Sequence, residues 1–418
     1  MIKFIRSLGK RDIRSNVPHY YLYYFSTGLI FSLPIWVQFY RRVLDFPQIA
    51  FMIVLQSAVT TILEIPTGAL ADLIGRRKTV LLGLLISAGG IMGIGFASAY
   101  WQFLFFQVAI GVGAALISGA DSALLYDSLK ETGREDDYVK IAIKNGFLYR
   151  MGLIIGSFTG GFLYDIWISL PYVMKALAML AGAFWMYFTV EPHIDSEKFS
   201  WASYVRQTKQ GVKEITKSAY IRKLSIYYVL VAGITWSCLY YFAQPFALDF
   251  GYSEKQMSLL FGFVYLTSSV VLYFLTSISG LLTRERVYLG FPILMTLSFL
   301  PAYFASKTIA PLLILGVQIA GSGRFAILDK YTNKEFEPKN RATANSTINM
   351  LVEIFMIIAV QLGGYIQDVN STKIIYSLLG VMTVFFVTPF AVQLVQEHRA
   401  YQKTKIEAGV LESTIKNG

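Results

Sequence analysis

Apolar residues in this chain gather into runs of about 20, the length at which a helix crosses a bilayer. Short polar or basic stretches separate the runs. Six can be marked over residues 20–40, 47–70, 80–99, 101–125, 141–164 and 166–190. Six more cover 226–248, 257–281, 287–304, 309–328, 348–366 and 374–395. The pattern predicts an all-α polytopic membrane protein with twelve transmembrane helices. The one long polar interruption, residues 191–223, falls at mid-chain. In it Trp201, Tyr204, Val205, Val212 and Ile215 recur at helical spacing, while Arg206, Lys209, Lys213 and Lys217 occupy other faces. Two readings stay open: an amphipathic helix on an anionic membrane surface, or a solvated linker helix. The expected organisation is therefore a first bundle of six helices (1–190), a cytoplasmic linker (191–223), a second bundle of six (224–396) and a tail (397–418).

The second half echoes the first. Gly119 precedes Asp127 by eight residues in the fourth run, and Gly321 precedes Asp329 by eight in the tenth. The fifth run closes on Gly160-Gly161 and Asp165, the eleventh on Gly363-Gly364 and Asp368. Ser26 stands eight before Pro34, and Ser237 eight before Pro245. Three coincidences in register with the helix count favour a duplicated six-helix unit with a pseudo-two-fold axis.

Composition agrees with a membrane protein. The chain is 55% hydrophobic and 15% charged, with a mean hydropathy of +0.51, too apolar for a soluble protein of 418 residues. Its net charge of +11 is spread over alternate loops rather than one patch, which argues against a nucleic-acid partner. Lys3, Arg6, Lys10, Arg11 and Arg14 precede the first run. Arg76–Lys78, then Lys130, Arg134 and Lys140, then Arg284 and Arg286, then Lys330, Lys334, Lys339 and Arg341 fill the loops of the same side. The opposite loops hold little beyond Arg41, Arg42, Lys255, Lys307 and Lys373. Basic short loops stay inside, so both termini are expected in the cytoplasm. No cleaved signal peptide is read at the N-terminus. With one cysteine, Cys238, no internal disulfide framework is expected.

The densest chemistry lies at residues 64–79, between the second and third runs. Pro66, Gly68 and Gly75 are expected to turn the backbone there. Asp72 stands four residues before Arg76, a spacing that would put both on one helical face, within reach of a salt bridge. The order Gly68-x-Leu70-Ala71-Asp72-x-x-Gly75-Arg76-Arg77-Lys78 resembles the signature between the second and third helices of the major facilitator superfamily. The preceding Glu64-Ile-Pro-Thr-Gly68 is similar to a bacterial subgroup that includes drug–proton antiporters. The resemblance implies two six-helix bundles that rock about a shared midline site. It also implies a switch relay in which Asp72, Arg76 and Asp127 meet the start of the eleventh helix, Pro338-x-x-Arg341-Ala342-Thr343. The matching hairpin of the second half, from Gly280 to Arg286, is a faint echo without the acid in place. The glycines 152, 156 and 160 partly resemble the fifth-helix motif of the antiporters but lack its proline. The arginine such proteins carry in the fourth helix is replaced by Gln107.

An ionisable group inside a helix of this kind costs at least about 2.5 kcal/mol on insertion scales, so each needs a partner or a wet cavity. The candidates for coupling are Glu64, Asp121, Arg150 and Glu353. Lys175, near the outer boundary, snorkels, and Arg324 lies nearer a helix end. Arg150 and Glu353 each stand ten residues before their glycine pair, equivalent positions that would face one another across the axis. Asp121 offers Arg150 an alternative partner. A fixed salt bridge and a pair broken during transport both remain open.

By analogy with the fold, the first, fourth, seventh and tenth helices line the cavity. They supply Tyr23, Tyr24, Ser26, Phe31, Gln38, Trp236, Tyr240, Tyr241, Gln244 and Gln318. Aromatics with amides suit an amphiphilic or drug-like organic solute, with the acids favouring a cation. The expected function is a secondary transporter working by alternating access, a proton-coupled exporter in the inner membrane of a bacterium, acting as a monomer. A nutrient or metabolite symporter, and a lipid scramblase or sensor on the same fold, are the alternatives. An enzyme is disfavoured: the three histidines, His19, His193 and His398, are scattered, and no metal, cofactor or nucleotide loop is expected.

Overall fold

The computed structural model describes residues 12–193, 201–278, 280 and 282–400, the side chains of 65, 201–205 and 207 excepted. Lys3, Arg6, Lys10, Arg11, the apolar side chains of the linker at Trp201, Tyr204 and Val205, and the tail past residue 400 lie outside that description. Every regular element among the described residues is helical. Ten helices are long and apolar enough to cross a membrane. Two more complete the twelve. The first span is broken into Asn16–Gly28 and Trp36–Arg41, and the fifth, Tyr138–Ile166, carries Lys140, Lys144, Arg150 and Asp165 along its length.

The described part of the chain forms two compact units. One comprises Met1–Trp201, Gly251–Tyr265 and Gly363–Asp368; the other holds the rest.

In the first unit, helix ends follow local sequence. Asp45 accepts the Gln48 N–H at 2.8 Å while Gln48 reaches back to the Asp45 N–H at 3.2 Å, a reciprocal cap that starts the second span, Phe46–Ile74. That helix does not turn at Pro66 or Gly68, as the sequence led us to expect. It runs through both and ends only at Gly75, whose φ of +97° a residue with a Cβ rarely adopts. Pro66, which has no N–H for the Ile62 carbonyl, costs the helix one bond without ending it. Here the Thr67 hydroxyl donates to Leu63 O at 2.8 Å and to Ala115 O of the fourth span at 2.9 Å. The third span is Arg76–Phe96. The fourth is interrupted between Tyr100–Ile117 and Ala120–Glu131, where Gly119 takes φ +70°. Leu170–Tyr187 is the sixth.

The break in the first span sits against the fifth. A Cβ on Gly152 would stand 2.6 Å from Phe25 O, and one on Gly156 2.8 Å from Ile30 N. At Gly160 the backbone oxygen of Phe31 is nearer still. Small residues let helices approach closely where no hydrophobic drive brings them together, so this stripe seats the interrupted helix.

The second unit contains most of the other six spans: Ala219–Leu248, Glu254–Ser277, Arg284–Phe304, Ala310–Glu335, Arg341–Val369 and Thr372–Ala400. Three of them leave α geometry for a π turn, at 238–242, 324–328 and 383–387. The linker helix, Trp201–Thr216, packs within this unit. Gly211 lies against Thr343 and Thr347 of the eleventh span. Buried Glu214 accepts the Glu337 N–H at 2.8 Å and the Asn340 amide at 3.1 Å, and pairs with Lys217. Burial opposes its charge, yet these hydrogen bonds and the Lys217 ammonium together hold the carboxyl below its ordinary range.

Candidate functional site

Three groups of residues carry the chemistry. At the hairpin between the second and third spans, Arg76 is bonded to Asp127, both side chains being largely buried. Since Gly75 ends one helix and Arg76 begins the next, Asp72 and Arg76 do not share a helical face. The arginine turns to the fourth span instead. Glu191, just past the sixth span, accepts the Arg76 N–H at 2.6 Å and the Arg77 N–H at 2.8 Å. The Arg77 guanidinium donates to Thr189 O at 3.0 Å and lies 5.8 Å from the Tyr187 ring centre. Asn16 adds a second tie, donating to Ser128 Oγ and Val190 O and accepting the Val190 N–H, each at 2.8 Å. First, third, fourth and sixth spans are thus joined at one end. Gly68, Asp72 and Lys78 are exposed there, and Arg341 is exposed at the first turn of the eleventh span. The second half builds its own version of the hairpin, with Arg284 paired to Glu335 at 2.6 Å and Arg399 to Glu285 at 2.7 Å.

The second group surrounds the break in the fourth span. Asp121 occupies the first turn after Gly119 and accepts the Tyr24 hydroxyl at 2.9 Å, while Tyr20 donates to the Asp121 backbone oxygen at 2.8 Å. On the other side of the break the Ser118 hydroxyl donates to Glu64. Two of the four coupling candidates therefore meet one interruption, each held by a hydroxyl, and neither forms an ion pair among the described residues. The proposed pairing of Asp121 with Arg150 is not made. Arg150 is half-buried, with one terminal nitrogen lacking a hydrogen-bond partner. Gln107 donates to Gln56 of the second span, forming an amide pair between the second and fourth spans.

In the second unit Glu353 is half-buried and close enough for its charge to act on Tyr240. Tyr240 stacks on Trp236 with ring centres 5.8 Å apart. Trp236 in turn lies 5.8 Å from the Arg324 guanidinium.

The cavity candidates divide. Tyr24, Phe31, Gln38, Trp236 and Tyr240 are half-buried, with Gln38 donating to Tyr252 O. Tyr23, Ser26, Tyr241, Gln244 and Gln318 are buried. Tyr23 belongs to the packed core with Tyr20, Leu84 and Leu124, and Gln318 donates along its own helix to Ser322 at 2.8 Å. Residue type along a helix does not tell which face meets a neighbour, and burial sets these five apart from the other candidates. Sequence reasoning passed over Glu191, Glu214 and Glu335, whose partners are remote in sequence. The acids themselves beside basic hairpins were the available signal.

A polytopic helical protein with paired six-span halves, a basic hairpin tied to the fourth span and carboxyls along its apolar spans is of the transporter class. Residues 20–243 and 227–416 each match the profile of the Major Facilitator Superfamily, and the chain belongs to that family. It is 25% identical over 381 residues to an uncharacterized MFS-type transporter, YxaM, of Bacillus subtilis (strain 168), covering 86% of this chain and 90% of the relative. Multidrug resistance protein 2 of the same organism is 28% identical over 185 residues, 43% of this chain and 44% of that one. Among solved structures, the nucleoside transporter NupG superposes with a TM-score of 0.69 over 91% of this chain and 98% of its own, at 13% identity. That likeness speaks for the fold alone.

Proposed function

We propose that the protein is a proton-coupled exporter of amphiphilic organic compounds, working by alternating access from the bacterial inner membrane with both termini in the cytoplasm. The observation that carries this reading is the break at Ser118–Gly119, where Glu64 and Asp121 are each held by a hydroxyl. A carboxyl so held can gain and lose a proton without an ion pair having to break first, and an intramembrane acid is a functional site by default. The helix is already interrupted there, so a change of charge has a hinge beside it. The similarity to Multidrug resistance protein 2 over 43% of the chain supports export. The relay of Arg76 and Asp127, with Asp72 and Arg341 exposed on their own helices, would steady one of the two access states.

Proteoliposomes with an internal pH dye test the reading. A panel of anionic, neutral and cationic amphiphiles is added, and solute-driven proton movement is recorded. We expect at least one amphiphile to move protons through the intact protein. Asp121→Asn should lose that movement while still exchanging labelled solute. Proton movement that survives both Asp121→Asn and Glu64→Gln overturns the coupling assignment, and lipid flipping without solute flux overturns transport.

A further inference from the structure

The tenth span departs from α geometry at residues 324–328. There the Asp329 N–H bonds to the Arg324 carbonyl, the i to i+5 closure of a π turn, a feature concentrated at functional sites. Arg324 opens this turn and is only 4% exposed. Three rings lie within cation–π distance of its guanidinium: Phe325 at 4.0 Å, with Tyr228 and Trp236 each at 5.8 Å. Ring faces attract the charge but accept none of the in-plane N–H groups, which are five donors in a fixed fork. Nε and Nη1 are both buried without a hydrogen-bond partner. The carboxylate one π turn on, Asp329, is near enough for its charge to act on the guanidinium, but the hydrogen bond it accepts comes from the Tyr228 hydroxyl. Nature rarely leaves a desolvated cation in this condition unless something completes it.

We infer that Arg324 is an anion-recognition point, and that the substrate class includes flat aromatic carboxylates whose two oxygens take the terminal edge of the guanidinium, which unpaired Nη1 shares with Nη2. The fork of an arginine fits a carboxylate bidentately. The surroundings fit the rest of such a molecule. Phe325 is 53% exposed, and Trp236 is half-buried and stacked on Tyr240, so an aromatic body has ring surface to lie on beside the charge. The word substrate here rests on the transport reading above; the binding site itself does not. Sequence reasoning had put Arg324 near a helix end and favoured a cationic solute from the acids alone.

The test is thermal unfolding of the full chain in detergent with three compounds of one shape: naphthoate, naphthylmethanol and naphthylmethylamine. Naphthoate alone should raise the unfolding temperature saturably. Arg324→Gln should abolish the rise, and Arg324→Lys should keep a weakened one, since an ammonium offers no planar fork. Two variants leave the arginine in place in case the first does not fold. Asp329→Asn removes a competing carboxylate and should tighten naphthoate binding several-fold. Tyr228→Phe releases Asp329 to compete and should weaken it. An equal response to all three compounds overturns the inference, as does no response to naphthoate or a response retained in Arg324→Gln. Binding without flux would fell the transport reading and leave this one standing, while flux of cations without naphthoate binding would do the reverse.

Discussion

The Glu191 carboxylate spans the first two backbone N–H groups of the third span, taking Arg76 at 2.6 Å and Arg77 at 2.8 Å. Those donors have no partner within their helix, and the positive end of the helix dipole favours an anion beside them. Gly75, with its φ of +97°, supplies no side-chain cap of its own. Glu191 therefore caps the helix from the end of the sixth span. Loss of a cap costs about 0.5–2 kcal/mol. We expect Glu191→Ala to lower the unfolding temperature in detergent and Glu191→Gln, which keeps the acceptor oxygen, to lower it less. Equal losses would mean that charge, not the hydrogen bond, does the capping.

Arg76 and Asp127 are 17% and 12% exposed at their side chains, buried enough for a lone survivor to be costly. Breaking a fully buried pair by removing one partner costs about 3–5 kcal/mol, and the residual exposure puts this one toward the lower end. Asp127→Ala and Arg76→Ala should each destabilise strongly, and the double variant by less than their sum. Unfolding temperatures of the four proteins, read as a double-mutant cycle, check this. Additive losses would show that the two do not act as a pair.

How much of this could be read from the chain depended on what kind of interaction set each feature. Span number and the halves came through because apolar length is a property of the sequence alone. The place of Gly75 came through for the same reason, since a break needs a residue free at positive φ. Pro66 and Gly68 misled because a helix packed against its neighbour, here with Thr67 donating to Ala115 O, tolerates residues of low helix propensity. Asp127 was legible through the family signature. Glu191 and Glu214 were not, because a carboxylate bound to backbone N–H groups more than a hundred residues away leaves no spacing to detect. The unpaired nitrogens of Arg324 depend on where three rings fall, which no local pattern records.

The fifth span offers a paired comparison of glycines. A side chain on Gly156 would meet Ile30 N at 2.8 Å, whereas one on Gly146 meets nothing within 4 Å. Gly156→Ala must therefore push the first span away from the fifth, and overpacking of this sort costs about 1–3 kcal/mol. Gly146→Ala should instead stabilise by up to about 1 kcal/mol, the difference in helix propensity. Unfolding temperatures that fall for Gly156→Ala and hold or rise for Gly146→Ala are the expected outcome. A fall for both would make the glycines' role one of backbone freedom rather than of close approach.

Docking of the linker helix should depend on pH through Glu214. Its carboxyl lies below the ordinary range in the folded protein, and an unperturbed glutamate titrates near about 4.3. A group whose folded value is depressed contributes stability fully above its unfolded value, and the contribution is lost as pH falls through the folded one. Docking should accordingly be constant from neutral pH down to about 5 and weaken progressively below about 4.3. Hydrogen exchange of the Glu337 amide, which the carboxylate holds at 2.8 Å, reports this directly once corrected for the intrinsic pH dependence of exchange. Glu214→Gln keeps an acceptor but loses both the ion pair with Lys217 and the titration. It should show weaker protection at neutral pH and no added loss in acid. Protection in the intact protein that stays flat below pH 4, or falls equally in the variant, would assign the docking to the Gly211 contact with Thr343 and Thr347 instead.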